Sequence, residues 1–215
     1  MEKYKSAEAL LKCGANPDIS TKEGETPLFL AASYSWIDNN DKKDPKYVKL
    51  LLHYAANPNK NYVNNNPNDI DSGTSPLMNS IGCGIEKTKA LVEAGADINY
   101  KTKHGDTAAE DALLAHETPE YAYYLIAQKK AKVADPYYRR QNFGNEDPNE
   151  KLFLVNILKD WVFDLNSKEY KIKMEIVDEF VRQGVNYKDA KIDDRTLGKI
   201  KKLHPNDWEE YIKKY

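Results

Sequence analysis

The phrase Ala9-Leu10-Leu11-Lys12-Cys13-Gly14-Ala15-Asn16-Pro17 decides the fold, because it comes back. It returns as Leu50-Leu51-Leu52-His53-Tyr54-Ala55-Ala56-Asn57-Pro58 and as Ala90-Leu91-Val92-Glu93-Ala94-Gly95-Ala96-Asp97-Ile98. Weaker copies are Leu125-Ile126-Ala127-Gln128-Lys129-Lys130-Ala131 and Phe180-Val181-Arg182-Gln183-Gly184-Val185-Asn186. Each reads as a helix end: paired apolar residues face a core, and Gly takes the left-handed cap position that a Cβ would strain. A second phrase, Gly24-Glu25-Thr26-Pro27-Leu28-Phe29-Leu30-Ala31-Ala32, recurs as Gly73-Thr74-Ser75-Pro76-Leu77-Met78-Asn79-Ser80-Ile81 and as Gly105-Asp106-Thr107-Ala108-Ala109-Glu110-Asp111-Ala112. Its Thr or Ser caps a helix, and Pro at the first position sacrifices no bond, since that N–H has no intrahelical acceptor.

This two-phrase unit resembles the ankyrin repeat, whose period is about 33 residues and whose signature contains T-P-L-H-x-A. The resemblance covers roughly residues 1–135 and implies an all-α solenoid of stacked helical pairs with irregular finger loops. The motif His of the family is Phe29, Met78 and Glu110 in the three copies, which predicts irregular hairpins. Cap positions 14, 55 and 95 are separated by 41 and 40 residues, so insertions are required. Two candidates are Ser35–Lys46 and the Asn- and Pro-rich Asn57–Ser72, and such inserts belong in surface loops. Residues 2–13 supply only the second helix of a unit, so the chain begins in mid-repeat.

From Tyr137 the signature fades, and residues 136–215 read as a diverged helical pair followed by capping helices. Asp147-Pro148-Asn149-Glu150 predicts a helix start ahead of Leu152, Val155, Leu158 and Trp161. Lys168–Gln183 carries the next apolar stripe, and Arg195–Leu203 and Asp207–Tyr215 make short terminal helices capped by Trp208 and Tyr211. A separate small helical domain is the alternative.

The charge excludes one class of function. The 215 residues carry 32 Lys+Arg against 34 Asp+Glu, and residues 141–215 hold 14 and 15 of these, so neither part is a basic nucleic-acid surface. Mean hydropathy is -0.77, no apolar run approaches the ~20 residues of a membrane span, and the N-terminus shows no signal peptide. Two cysteines, Cys13 and Cys83, lie two layers apart in the proposed register and are expected as free thiols. No motif assigns catalysis, a metal or a cofactor. Gly82-Cys83-Gly84 lacks the Lys and Ser or Thr of a phosphate loop and reads as a kink or close helix approach, and His116-Glu117 lacks the second His of a metalloprotease helix.

The ankyrin resemblance implies a non-catalytic protein-binding module that works through a concave face and finger loops. Its contact positions carry over to Lys22, Glu23, Glu25, Ser33 and Tyr34, with Trp36 beside them. The next unit offers Asp71, Ser72, Thr74, Gly82 and Cys83, and the third Lys103, His104, Asp106, Leu114 and Ala115. The Lys/Asn-rich style and the insertions are similar to bacterial ankyrin proteins that neutralise one dedicated partner, including immunity proteins of secreted toxins such as type VI secretion phospholipases. The alternatives are an effector or scaffold acting in a eukaryotic host and an enzyme with a site in 141–215. An immunity protein against a membrane-active toxin would work in the periplasm or on a membrane anchor, with an export segment ahead of Met1; otherwise the cytoplasm is expected. The Asn57–Ser72 loop, read as extended and stiffened by Pro58 and Pro67, is the element expected to enter a partner's cleft.

Overall fold

The computed structural model describes residues 2–34, 43–66, 68–115, 118–138, 147 and 149–215. In chain order its helices are α1 (Glu2–Lys12), α2 (Pro27–Ala32), α3 (Lys46–His53), α4 (Pro76–Asn79), α5 (Ile85–Glu93) and α6 (Ala108–Leu114). There follow α7 (Glu120–Ala122), which continues as a π-helix over Tyr123–Gln128, then α8 (Leu154–Lys159) and α9 (Lys168–Arg182). A 3-10 turn (Tyr187–Asp189), α10 (Asp194–Leu203) and α11 (Trp208–Lys214) complete the chain. Among the described residues the β-pairing amounts to an isolated antiparallel bridge between Tyr137 and Leu152, so the fold is all-α. Two compact units divide within α6, at Met1–Asp111 and Ala112–Tyr215. The division at 135/136 drawn from the sequence marks where the repeat signature fades, which is a different property.

In the first unit the helix starts follow the sequence. Thr26 Oγ1 accepts from the Phe29 N–H and Ser75 Oγ from the Met78 N–H, both at 3.1 Å, and Pro27 and Pro76 open α2 and α4. α2 pairs with α3 and α4 with α5, while α2 packs on α4 and α3 on α5, giving two stacked helical pairs. Leu28, Val48, Leu77 and Leu91 are fully or almost fully buried between them. Burying one such side chain contributes about 1.5–3 kcal/mol.

The helix ends share one geometry, with φ of 86° at Gly14, 63° at Ala55 and 91° at Gly95. At each, the cap N–H and the next N–H bond back to two carbonyls of the last turn: Gly14 to Leu11 and Ala15 to Leu10, Ala55 to Leu52 and Ala56 to Leu51, Gly95 to Val92 and Ala96 to Leu91. This is the Schellman arrangement.

The second unit repeats it twice. Gly184 (φ 83°) closes α9 with the same two bonds. Lys130 (φ 63°) closes the π-helix, but here Ala131 N–H reaches back to Leu125, one residue further than in the other copies. The cause is visible in the sequence: Leu125 to Ala131 spans one residue more than Leu91 to Ala96. The wider π turn absorbs the insertion and keeps the apolar face in register. α9 packs on this segment, and Glu179, 4% exposed, receives Lys130 Nζ at 2.7 Å and Arg182 at 2.6 Å.

α8 begins later than Asp147–Glu150 predicted. Tyr137 and Leu152 exchange both backbone hydrogen bonds, at 3.0 and 3.1 Å, so Leu152 is extended and the helix starts at Leu154. Trp161 is buried, and its indole donates to the Leu113 carbonyl at 2.9 Å. α10 and α11 form a hairpin over Ile200, Tyr211 and Tyr215, with Trp208 and Ile212 packed against that cluster.

Candidate functional site

The finger loops of the first unit are built on one template. Thr21 N–H donates to the Glu25 carbonyl at 2.9 Å and Gly24 N–H to the Thr21 carbonyl at 3.1 Å. Thr102, Asp106 and Gly105 reproduce both bonds at 3.1 and 3.0 Å. The threonine hydroxyls strengthen the turns by accepting from the Glu25 and Asp106 N–H groups, each at 3.2 Å. These two hairpins keep one geometry without the family's motif His, and the irregularity expected of the finger loops falls on the loop between them.

The middle loop keeps the frame and carries the insert. Tyr62 N–H donates to the Thr74 carbonyl at 2.9 Å and Gly73 N–H to the Tyr62 carbonyl at 2.7 Å. The second bond spans 62 to 73 here but 21 to 24 and 102 to 105 in the flanking loops, so the insert is eight residues (11 against 3). It is folded, not extended as the sequence suggested. Asn64, Asn66 and Asp69 accept from backbone N–H groups two residues on, the Asx turn that Asn and Asp favour. Asn64 N–H bonds Ser72 Oγ at 3.1 Å, and the Tyr62 hydroxyl donates to Asp69 at 2.5 Å. That bond, above all, holds the Asp69 carboxyl below the usual carboxylate range.

The loop also grips its neighbours. The Tyr62 ring stacks on Phe29 with centroids 5.2 Å apart. A Cβ on Gly24, already at φ 91°, would sit 1.9 Å from the Val63 carbonyl oxygen, so only Gly permits this approach. Behind the loops runs a ladder that sequence reasoning missed. Asn57 N–H bonds Asp18 Oδ1 at 2.9 Å, Asp97 N–H bonds Asn59 Oδ1 at 2.7 Å, and Asn59 Nδ2 reaches the Gly95 carbonyl at 2.9 Å. Its signal was the recurring pattern Asn16-x-Asp18, Asn57-x-Asn59, Asp97-x-Asn99.

The carried-over contact residues separate into two groups. Lys22, Glu23, Asp71 and Lys103 are exposed at the fingertips, with Glu25, Ser72, Thr74 and His104 half-buried beside them. Thr74 Oγ1 is turned onto the Asp71 carbonyl at 2.7 Å. Asp106 lies inside its loop at 1% exposure, with Thr102 Oγ1 donating to its carboxylate at 2.5 Å. Tyr34 is 46% exposed, and its hydroxyl donates to the Gly82 carbonyl at 2.8 Å, tying one repeat to the next. Half-buried Ser33 accepts the buried Lys87 ammonium on its carbonyl at 2.6 Å. Trp36, Pro67, His116, Glu117 and most of the Ser35–Lys46 insert lie outside the described residues.

Cys13 and Cys83 are free thiols, the first exposed and the second buried. Burial pushes the Cys83 thiol up, the opposite of what activates a nucleophile. Gly82-Cys83-Gly84 is a close approach, as its glycines implied: a Cβ on Gly84 would lie 2.6 Å from the Lys43 carbonyl. Among the described residues no group of three or more His, Cys, Asp or Glu side chains converges to hold a metal, and no helix is long and apolar enough to cross a membrane.

What the first unit offers is a row of preorganised loops with mixed charge at their tips and a partly exposed tyrosine. Comparison with curated proteins returns no match. Residues 2–102 match the model of the family described as ankyrin repeats (3 copies), so this part of the chain carries ankyrin repeats, an all-α architecture of protein–protein interaction.

Proposed function

We propose that the chain binds one dedicated protein partner through the finger loops of its repeats, with Lys22, Glu23, Glu25, Asp71, Ser72, Thr74, Lys103 and His104 at the tips and Tyr34 as an aromatic anchor. Ser33 and Asp106 support this surface from beneath, Ser33 through Lys87 and Asp106 through Thr102. The observation that carries the reading is the eight-residue insert, which is fixed by its own Asx turns and by Tyr62 on Phe29. An ordered loop enters an interface having already lost its conformational freedom, and preorganisation of this kind raises affinity. Within that reading the role we put forward is immunity: the partner is a secreted bacterial toxin of the phospholipase type, which the chain inhibits without catalysis of its own. Such inhibition calls for nanomolar or tighter affinity, about -12 kcal/mol.

The experiment is co-expression with the product of the neighbouring gene, using the full chain and a variant in which residues 63–72 are replaced by a four-residue turn. Protection by the full chain and its loss in the variant support the reading. A complex that forms without protecting leaves a binding module and rejects immunity. Absence of any complex on gel filtration rejects both.

A further inference from the structure

The second unit buries two lysines where a helical core has little use for charge. Lys173 on α9 is 1% exposed and Lys159 at the end of α8 is 5% exposed. Lys173 Nζ donates to the Trp161 carbonyl at 2.7 Å and lies 3.6 Å from the Tyr215 ring centroid. Lys159 has a different environment. The contacts of its ammonium are aromatic faces, Tyr187 at 4.0 Å and Tyr215 at 5.2 Å. Ring faces attract a cation, but they supply no hydrogen-bond acceptor for a group that carries three donors.

Lys159 forms part of the wall of a cavity of about 580 Å³, which is also lined by Lys188, Lys191, Lys213 and the acidic side chain of Asp189. Lys213 is paired with Glu210 at 2.7 Å. Lys188 and Lys191 are exposed on the rim. Ile192, Ile212 and Tyr215 give the same cavity an apolar side. Burial, followed by the neighbouring Lys159 charge, holds the Lys173 ammonium down to about 6, and burial lowers Lys159 as well. A negative charge brought into the cavity would offset the desolvation of Lys159 and offer its ammonium a charged hydrogen-bond acceptor.

We infer that this cavity is a binding site for an organic anion, its phosphate or carboxylate seated against Lys159 and steadied by Lys188 and Lys191, its apolar body lying on Ile192, Ile212 and Tyr215. The site lies wholly in residues 159–215 and is independent of the finger-loop reading. The same anionic chemistry has two sources, a free small molecule or an acidic side chain of a partner protein.

The test titrates the full chain with phenyl phosphate, inorganic phosphate and phenol by calorimetry, following the Tyr215 and Ile212 resonances in parallel. Phenyl phosphate is expected to bind about tenfold tighter than inorganic phosphate, to shift both resonances, and to weaken as salt rises. Lys159→Met should lower its affinity about tenfold, and the rim substitution Lys191→Gln about threefold. The rim variant decides the matter if Lys159→Met fails to fold. A phosphotyrosine peptide that binds tighter than phenyl phosphate assigns the anion to a protein partner; weaker binding assigns it to a small molecule. Equal binding of phenol and phenyl phosphate, undiminished affinity in folded Lys159→Met, or no heat up to about 10 mM would overturn the site.

Discussion

Ala55→Gly is expected to stabilise the protein, although it removes a methyl group from a helix end. Ala55 occupies the left-handed cap of α3 at φ 63°, where Gly14, Gly95 and Gly184 stand in the other copies. That conformation costs a residue with a Cβ about 1–2 kcal/mol. Glycine removes the cost but gives the unfolded chain more freedom, which takes back about 0.4–1 kcal/mol. The net expectation is a gain of about 0.5–1 kcal/mol, or about 1–4 °C in Tm for a chain of this size. Gly95→Ala is the mirror experiment. No atom lies within 4 Å of the Cβ it would add, so strain at φ 91° acts alone, with a loss of about 0.5–1 kcal/mol. Gly24→Ala adds a collision with the Val63 carbonyl at 1.9 Å and should lose about 1–3 kcal/mol beyond the strain. Lys130 shares φ 63°, but its ammonium bonds Glu179 and the Ala127 carbonyl, so Lys130→Gly is expected to bring no gain. Urea unfolding followed by circular dichroism ranks the four. If Ala55→Gly is less stable than wild type while Gly95→Ala is unchanged, cap strain does not govern these helix ends.

Thr26→Ala and Ser75→Ala each delete a cap bond to Phe29 or Met78 N–H and should cost about 1 kcal/mol by the same unfolding assay; changes within about 0.2 kcal/mol would contradict it. Tyr34→Phe removes only the bond to the Gly82 carbonyl and should cost about 0.5–1.5 kcal/mol of stability. Tyr34→Ala should in addition weaken partner binding, and equal binding by both variants and wild type would remove Tyr34 from the interface. Because the Lys173 ammonium is pulled down to about 6 on folding, the unfolded chain binds more protons above that pH, and stability should rise from pH 6.5 to 8.5. The contribution is at most about 1.4 kcal/mol per pH unit. Lys173→Met should flatten the slope, and an unchanged slope would show that the lysine stays charged in its tyrosine box.

The helix starts and ends were legible because they rest on local chemistry. Thr26-Pro27, Ser75-Pro76 and the cap glycines act within one turn, so the residues that form each bond are neighbours in sequence. The π turn over Tyr123–Gln128 was encoded equally locally, as one residue too many between Leu125 and Ala131. What the sequence hid was nonlocal. The start of α8 was moved by Tyr137 pairing with Leu152, and helical periodicity carries no trace of that partner. The Asn57–Ser72 loop read as extended and stiffened by Pro58 and Pro67, yet its asparagines fold it back through Asx turns. The exposure of Lys22 and Lys103 followed from the hairpin register, whereas the burial of Asp106 depended on Thr102 across the turn. Nothing local marks Lys159 and Lys173, whose burial follows from Tyr187 and Tyr215 packing against them.

The most direct test of the account is hydrogen–deuterium exchange on the full chain, free and bound to the protein that co-purifies with it. Slowed exchange at residues 22–25, 33–34, 71–74 and 103–106 is the predicted footprint. Protection confined to 154–215, with the three finger loops exchanging as in the free chain, would contradict the claim that the ankyrin repeats form the binding surface.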